Sequence, residues 1–203
     1  RFSQWSDISP LKAYEVAAGN THLKAVDGVL FSADGKTLVA WPASKTPAYR
    51  IPDGTEQIGP YAFANSYITG FDDERLTPSL LIVPASVTSL YVTSLQCEGW
   101  PFKEANAYFL GAAPDLIETD EQGGPMVVNY SSTFQQSWED KLDYEDDPPT
   151  YGGYAVNMIN GAVVLPTLGR QDGVSGDDEP FFRNQLILVA GMESDDTSGV
   201  TLR

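Results

Sequence analysis

The chain has 203 residues, 42% of them hydrophobic and 11% aromatic, which is enough apolar material for a real core and too much for wholesale disorder. Its 28 acidic residues against 12 basic ones give a formal charge of -16, a field that repels nucleic-acid backbones and anionic lipid headgroups. Eighteen glycines and 14 prolines exclude a bundle of long helices and point to many short elements joined by turns.

Cys97 is the single cysteine, so neither an intrachain disulfide nor a thiolate metal cage is expected. No apolar run approaches the ~18 residues of a membrane-spanning helix, so no direct membrane insertion is expected of this chain. Arg1 rather than Met opens it, which reads as a trimmed or mature product whose targeting segment is absent.

In chain order, residues 1–10 read as a capping segment ending at Pro10, and Ala13–Val16 as a short strand closed by Gly19-Asn20. Val29-Leu30-Phe31 and Thr37 to Trp41 flank Ala33-Asp34-Gly35-Lys36, predicting a hairpin with a type I′ turn at the Asp-Gly pair. Pro42 ends it.

The stretch Tyr49 to Ser66 predicts a strand over Tyr49-Arg50-Ile51. Pro52 stops that strand, Asp53-Gly54 turns the chain, and a half-turn after Gly59-Pro60 buries Phe63. Leu81 to Leu90 lays over Tyr49 to Ile58, Pro84 on Pro52, a period of 32 residues. A leucine-rich repeat usually runs 20–29 residues, roughly, so an insertion is placed at Asp72 to Ser79. Such a unit cannot bury its own apolar face and needs a stacked neighbour.

Further strands are expected at Ala107 to Leu110 and at Met126 to Tyr130, the latter followed by a short helix through Trp138. Residues 139–150, rich in carboxylates and holding two prolines, read as a solvated loop or linker. Strands then follow at Tyr154 to Asn157, Ala162 to Leu165 and Gln185 to Ala190. Asn160-Gly161 is positioned to turn a hairpin between the first two, and a long polar loop, 169–180, precedes the third.

The segments DGVLFSADGKTLVAWPA at 27–43 and YRIPDGTEQIGPYAFANS at 49–66 resemble the BspA-type leucine-rich repeats of bacterial surface proteins. Ile51, Pro52, Ile58, Gly59, Ala62 and Phe63 match that pattern position by position. The resemblance covers about residues 13–142. After Leu90 the second unit departs from it, with Tyr91-Val92-Thr93-Ser94-Leu95 in place of the Ala-Phe pair. It implies a secreted or cell-surface adhesion module, usually non-catalytic, that presents a curved sheet face to a protein or glycan. The expected fold is α/β and strand-rich: a short right-handed leucine-rich-repeat solenoid over 1–142, with an inserted hairpin at 27–43. Residues 143–203 are then an acidic linker and a β-rich cap or small module.

Catalytic chemistry is hard to build here. His22 is the only histidine, and it sits at a turn, so any Ser-His or Cys-His pairing must use it. Zinc needs more His or Cys ligands than the chain has, and Gly123-Gly124-Pro125 lacks the Lys-Ser/Thr of a phosphate loop. A glycosidase would need two carboxylates facing each other across a cleft. A structural spacer within a longer surface protein is the other alternative to a binding module.

Calcium is the one metal whose hard-oxygen preference fits, at Asp172, Asp177, Asp178 and Glu179 in a glycine-punctuated loop. Val174 at a ligand position breaks the EF-hand spacing, and a solvated acidic loop accounts for the same residues. Exposed aromatics stack on sugars or anchor proteins, and Trp100, Tyr108 and Tyr130 are the expected contacts, as strand-adjacent residues of successive units. Asn129-Tyr130-Ser131 also satisfies a glycosylation sequon.

Overall fold

The computed structural model describes residues 11–42, 48–63, 80–96, 106–119, 124, 126–160, 163–169 and 181–187. Over these the protein is α/β and strand-rich, with two six-stranded mixed sheets. Helical structure among the described residues amounts to a 3-10 turn, Ser132–Phe134, and α1, Gln135–Glu139.

The chain opens with an antiparallel meander of β1 (Leu23–Val26), β2 (Val29–Ser32) and β3 (Thr37–Ala40). Asp27 and Gly28 form the two-residue loop between β1 and β2, both at positive φ (49° and 72°), the signature of a type I′ turn. The type I′ turn therefore lies at 27–28 and not, as the sequence predicted, at Asp34-Gly35. The second loop is longer. The Gly35 N–H donates to the Ser32 carbonyl at 2.8 Å, and only Gly35 takes positive φ, at 82°. The Asp34 carboxylate accepts from Ser32 Oγ and from the Lys36 N–H, which holds this four-residue turn and keeps the Asp34 carboxyl below its usual range. No strand forms at Ala13–Val16; the Tyr14 N–H is taken instead by the Gly28 carbonyl at 2.7 Å.

From β4 to β10 successive strands alternate between two sheets. β4 (Ala48–Arg50), β6 (Leu80–Val83), β8 (Asn106–Phe109), β10 (Val127–Ser131) and β12 (Tyr154–Ile159) are parallel neighbours in one sheet. β5 (Gln57–Ile58), β7 (Ser89–Tyr91) and β9 (Asp115–Ile117) continue the other sheet in parallel from β3. β11 (Thr150–Tyr151) turns back antiparallel on β12 and completes the first sheet. Pro52 and Pro84 follow β4 and β6, where a missing backbone donor ends a ladder. Tyr49 lies beside Leu81 and Ile58 beside Leu90, the same register as the alignment of those two segments by sequence.

Alternation along each strand sends one row of side chains between the sheets. Leu81, Val83, Ala107, Phe109, Val128 and Tyr130 meet Phe31, Leu38, Ile58, Leu90 and Leu95 there, all buried. Trp41 is fully buried and packs on Tyr49 at 4.4 Å between ring centroids.

The other end of this core is aromatic. Trp138 stacks on Tyr130 (4.9 Å, 10° between planes) and meets Phe109 and Tyr151 edge-on, at 5.1 and 5.0 Å. Each such pair adds about 0.5–1.5 kcal/mol beyond burial. Three polar atoms at this end are satisfied: Trp138 Nε1 donates to the Gly111 carbonyl, the Tyr151 hydroxyl to the Pro114 carbonyl and the Tyr154 hydroxyl to the Val92 carbonyl.

Residues 143–148 are exposed, in keeping with a solvated loop, but both ends are tied: Asp143 and Thr150 exchange two backbone hydrogen bonds. Tyr151 and Tyr154 beyond it belong to the same buried cluster as Val29 and Trp41. Among the described residues β12 and β13 do not pair as the hairpin expected at Asn160-Gly161 requires. β12 is committed to β10, and β13 (Val163–Gly169) pairs antiparallel with β14 (Phe181–Ile187). The proposed insertion at Asp72 to Ser79 lies outside the described residues.

Candidate binding face

Because side chains alternate, the residue after each core position points away from the core. The paired registers then set Arg50, Ile82, Tyr108, Asn129 and Asn157 side by side on five neighbouring strands. At the ordinary strand spacing this row spans roughly 19 Å. Arg50 and Asn157 are exposed, Tyr108 is half-buried, and Ile82 and Asn129 are buried at 7% and 3% exposure.

The polar members of the face are linked. Asn157 Nδ2 donates to Asn129 Oδ1 at 2.9 Å, and Asn129 Nδ2 donates to Asn106 Oδ1 at 3.0 Å. Asn129 also reaches the carbonyls of Ala107 and Val127, which is how a buried amide is satisfied without a charge. Tyr108 lies between Ile82 and Asn129, and its hydroxyl has no hydrogen-bond partner among the described residues. Partial burial pushes the phenol above its ordinary pKa, so at neutral pH it offers one donor and two acceptor lone pairs. Among the described residues Arg50 keeps only a long contact to Asp53, 3.4 Å with both groups exposed, which holds the guanidinium weakly.

Of the aromatic contacts expected from sequence, Tyr108 alone is found on this face. Tyr130 was expected to be exposed and is instead 5% exposed in the core, stacked on Trp138. Strand parity is the reason: Tyr130 pairs with Phe109, while its neighbour Asn129 pairs with Tyr108. Trp100 lies outside the described residues, as do Asp172, Asp177, Asp178 and Glu179. Among the described residues no group of three or more His, Cys, Asp or Glu could hold a metal ion. The sequon at Asn129 is withdrawn from use, because its amide is buried and engaged in hydrogen bonds. His22 is exposed at its turn, where its N–H donates to Asn20 Oδ1 at 2.9 Å.

Sequence reading missed the three asparagines. The signal was present: Val128-Asn129 and Val156-Asn157 each set one amide in an otherwise apolar strand. Comparison with protein-family models, with curated proteins and with solved structures finds no match. The reading of this protein therefore rests on its own geometry.

Proposed function

We propose that the protein is a non-catalytic recognition module, secreted or displayed at a cell surface, that binds a protein or glycan through the outward face of the β4–β12 sheet. The observation that carries this is the in-register row Arg50–Ile82–Tyr108–Asn129–Asn157. In it a half-buried ring, its hydroxyl without a partner among the described residues, stands beside amides, an arrangement suited to stacking on a sugar or anchoring a peptide. The fold behind it is read as a short right-handed leucine-rich-repeat solenoid of the BspA-type, a reading supported by strands that alternate between two sheets and by the matched residues Ile51, Pro52, Ile58 and Phe63. No cofactor enters this function.

The asparagine chain across β8, β10 and β12 favours a second reading, a structural spacer, because those amides satisfy one another and leave few groups for a ligand. Glycan and protein arrays probed with the purified chain separate the two. Saturable binding that Tyr108→Ala abolishes and Tyr108→Phe weakens supports recognition through this face. Binding untouched by Tyr108→Ala and by Asn157→Ala overturns that placement.

A further inference from the structure

β12 is the last parallel strand of its sheet. β10 lies along one side of it from Val156 to Ile159, and β11 covers the other side only at Tyr154 and Ala155. Along Val156 to Ile159 the far edge has no strand partner among the described residues. Open edges of this kind are normally blunted by a lysine, a proline or a bulge. None is present here. From Tyr151 to Leu165 the sequence contains no charged residue and no proline, in a chain whose formal charge is -16. Met158 is 37% exposed on this strand, a large apolar side chain left in water. Asn157 gives one N–H to Asn129, while its Oδ1 has no partner among the described residues.

We propose that this edge pairs with the same edge of a second copy, β12 against β12, joining two six-stranded sheets into one. An interface between identical strands closes about a twofold axis, and a twofold perpendicular to the sheet makes the pair antiparallel. A second copy is favoured over an unrelated partner on two grounds. Two chains of charge -16 repel over most of their surface, and this uncharged edge is where their backbones can meet without bringing carboxylates together. The exposed carboxamide of Asn157 is also self-complementary, since an amide offers both a donor and an acceptor to another amide. The edge is short, so the association is weak and depends on concentration. The inference stands apart from the recognition reading: it uses the backbone edge of β12, shares only Asn157 with the sheet face, and is tested separately by Met158→Lys.

Sedimentation velocity over a concentration series, at low and high salt, tests it together with hydrogen exchange at Val156 to Ile159. The expected result is a reversible dimer that tightens with salt as repulsion is screened, and edge amides that exchange more slowly as dimer accumulates. Met158→Lys places a charge on the edge and is expected to weaken the dimer about tenfold or more, and Asn157→Asp to do the same. Val26→Lys, at the exposed end of β1, leaves the dimer unchanged. A chain that stays monomeric at every concentration overturns the proposal, and so does a dimer indifferent to Met158→Lys and Asn157→Asp. Edge amides protected equally at all concentrations also overturn it, since the edge is then covered within a single chain.

Discussion

The side chain of Asn157 donates to Asn129 across two parallel strands at 2.9 Å, and Asn129 passes the contact on to Asn106 at 3.0 Å. The middle residue is buried and the outer one exposed, so equal truncations have unequal costs. Asn129→Ala removes the buried middle amide with its bonds to Asn106, Asn157 and the Ala107 and Val127 carbonyls, and is expected to cost about 1–3 kcal/mol. Asn157→Ala exposes its partner to water and should cost below about 1 kcal/mol. Urea unfolding of the two variants measures the difference, and equal costs would show that the amides do not act as a chain.

Trp138 fills the aromatic end of the core against Tyr130, Phe109 and Tyr151. Trp138→Ala is expected to lose about 3–5 kcal/mol, the range for emptying a large aromatic site. Trp138→Phe keeps much of the packing and loses the bond to the Gly111 carbonyl, so it should fall between that variant and the native chain. Thermal and urea unfolding give the order.

The two glycine turns of the meander differ in what surrounds them. A Cβ at Gly28 would lie 2.6 Å from Ala13 Cβ, whereas one at Gly35 meets only the flexible end of the Lys24 side chain. Both take positive φ, so both alanine variants carry roughly 1–2 kcal/mol of backbone strain. Gly28→Ala adds the clash and should be the worse of the two. A ranking by urea midpoint with Gly35→Ala the more destabilised would contradict the close approach of Ala13 to this turn.

Thr93 is fully buried, its hydroxyl lacks a partner among the described residues, and valine has nearly its shape. Thr93→Val is expected to raise stability by about 1 kcal/mol, because it removes a polar atom that was dehydrated without compensation. A loss of stability would mean that the hydroxyl is bonded in solution, with an ordered water the natural partner in such a site.

Burial holds the phenols of Tyr49 and Tyr151 above their ordinary value of 10.0. The folded state therefore keeps these protons when the unfolded chain has begun to lose them. Their contribution is complete below pH 10, and it is lost as pH rises through 10 towards the folded-state values. The melting temperature should fall steeply in that alkaline range. Tyr151→Phe starts lower, having lost the bond to the Pro114 carbonyl, but should show a shallower alkaline decline. Parallel melting curves against pH compare the slopes.

Much of the strand order was legible because its cues are local. Aliphatic runs ending at Pro52 and Pro84 mark β4 and β6, and the apolar runs at 107–110 and 126–130 mark β8 and β10. What escaped depends on contacts distant in sequence. Leu-Lys-Ala-Val carries no strand signature of its own, and β1 exists because the Asp27-Gly28 turn folds it onto β2. β9 has three residues and is secured by its pairing with β7. The two Asp-Gly pairs of the meander look alike, yet the number of residues between the paired strand ends decides which forms a type I′ turn. The candidate face was half legible for the same reason: Tyr108 and Tyr130 are both strand tyrosines, and a register one residue apart sends the second inward.

The meander at the start also bears on the order of assembly. Its two antiparallel pairs close over short loops and can form in microseconds, whereas each parallel pair waits for a longer loop to close at a greater entropic cost. β3 is thus the strand available earliest with an unfilled side, and β5 has a ready ledge on which to dock. Growth from that ledge runs towards the C-terminus. Pulse-labelled hydrogen exchange during refolding should find amides of β2 and β3 protected before those of β10. Swapping the Asp27-Gly28 turn for a slower-closing loop should then delay the whole molecule and not merely its first hairpin.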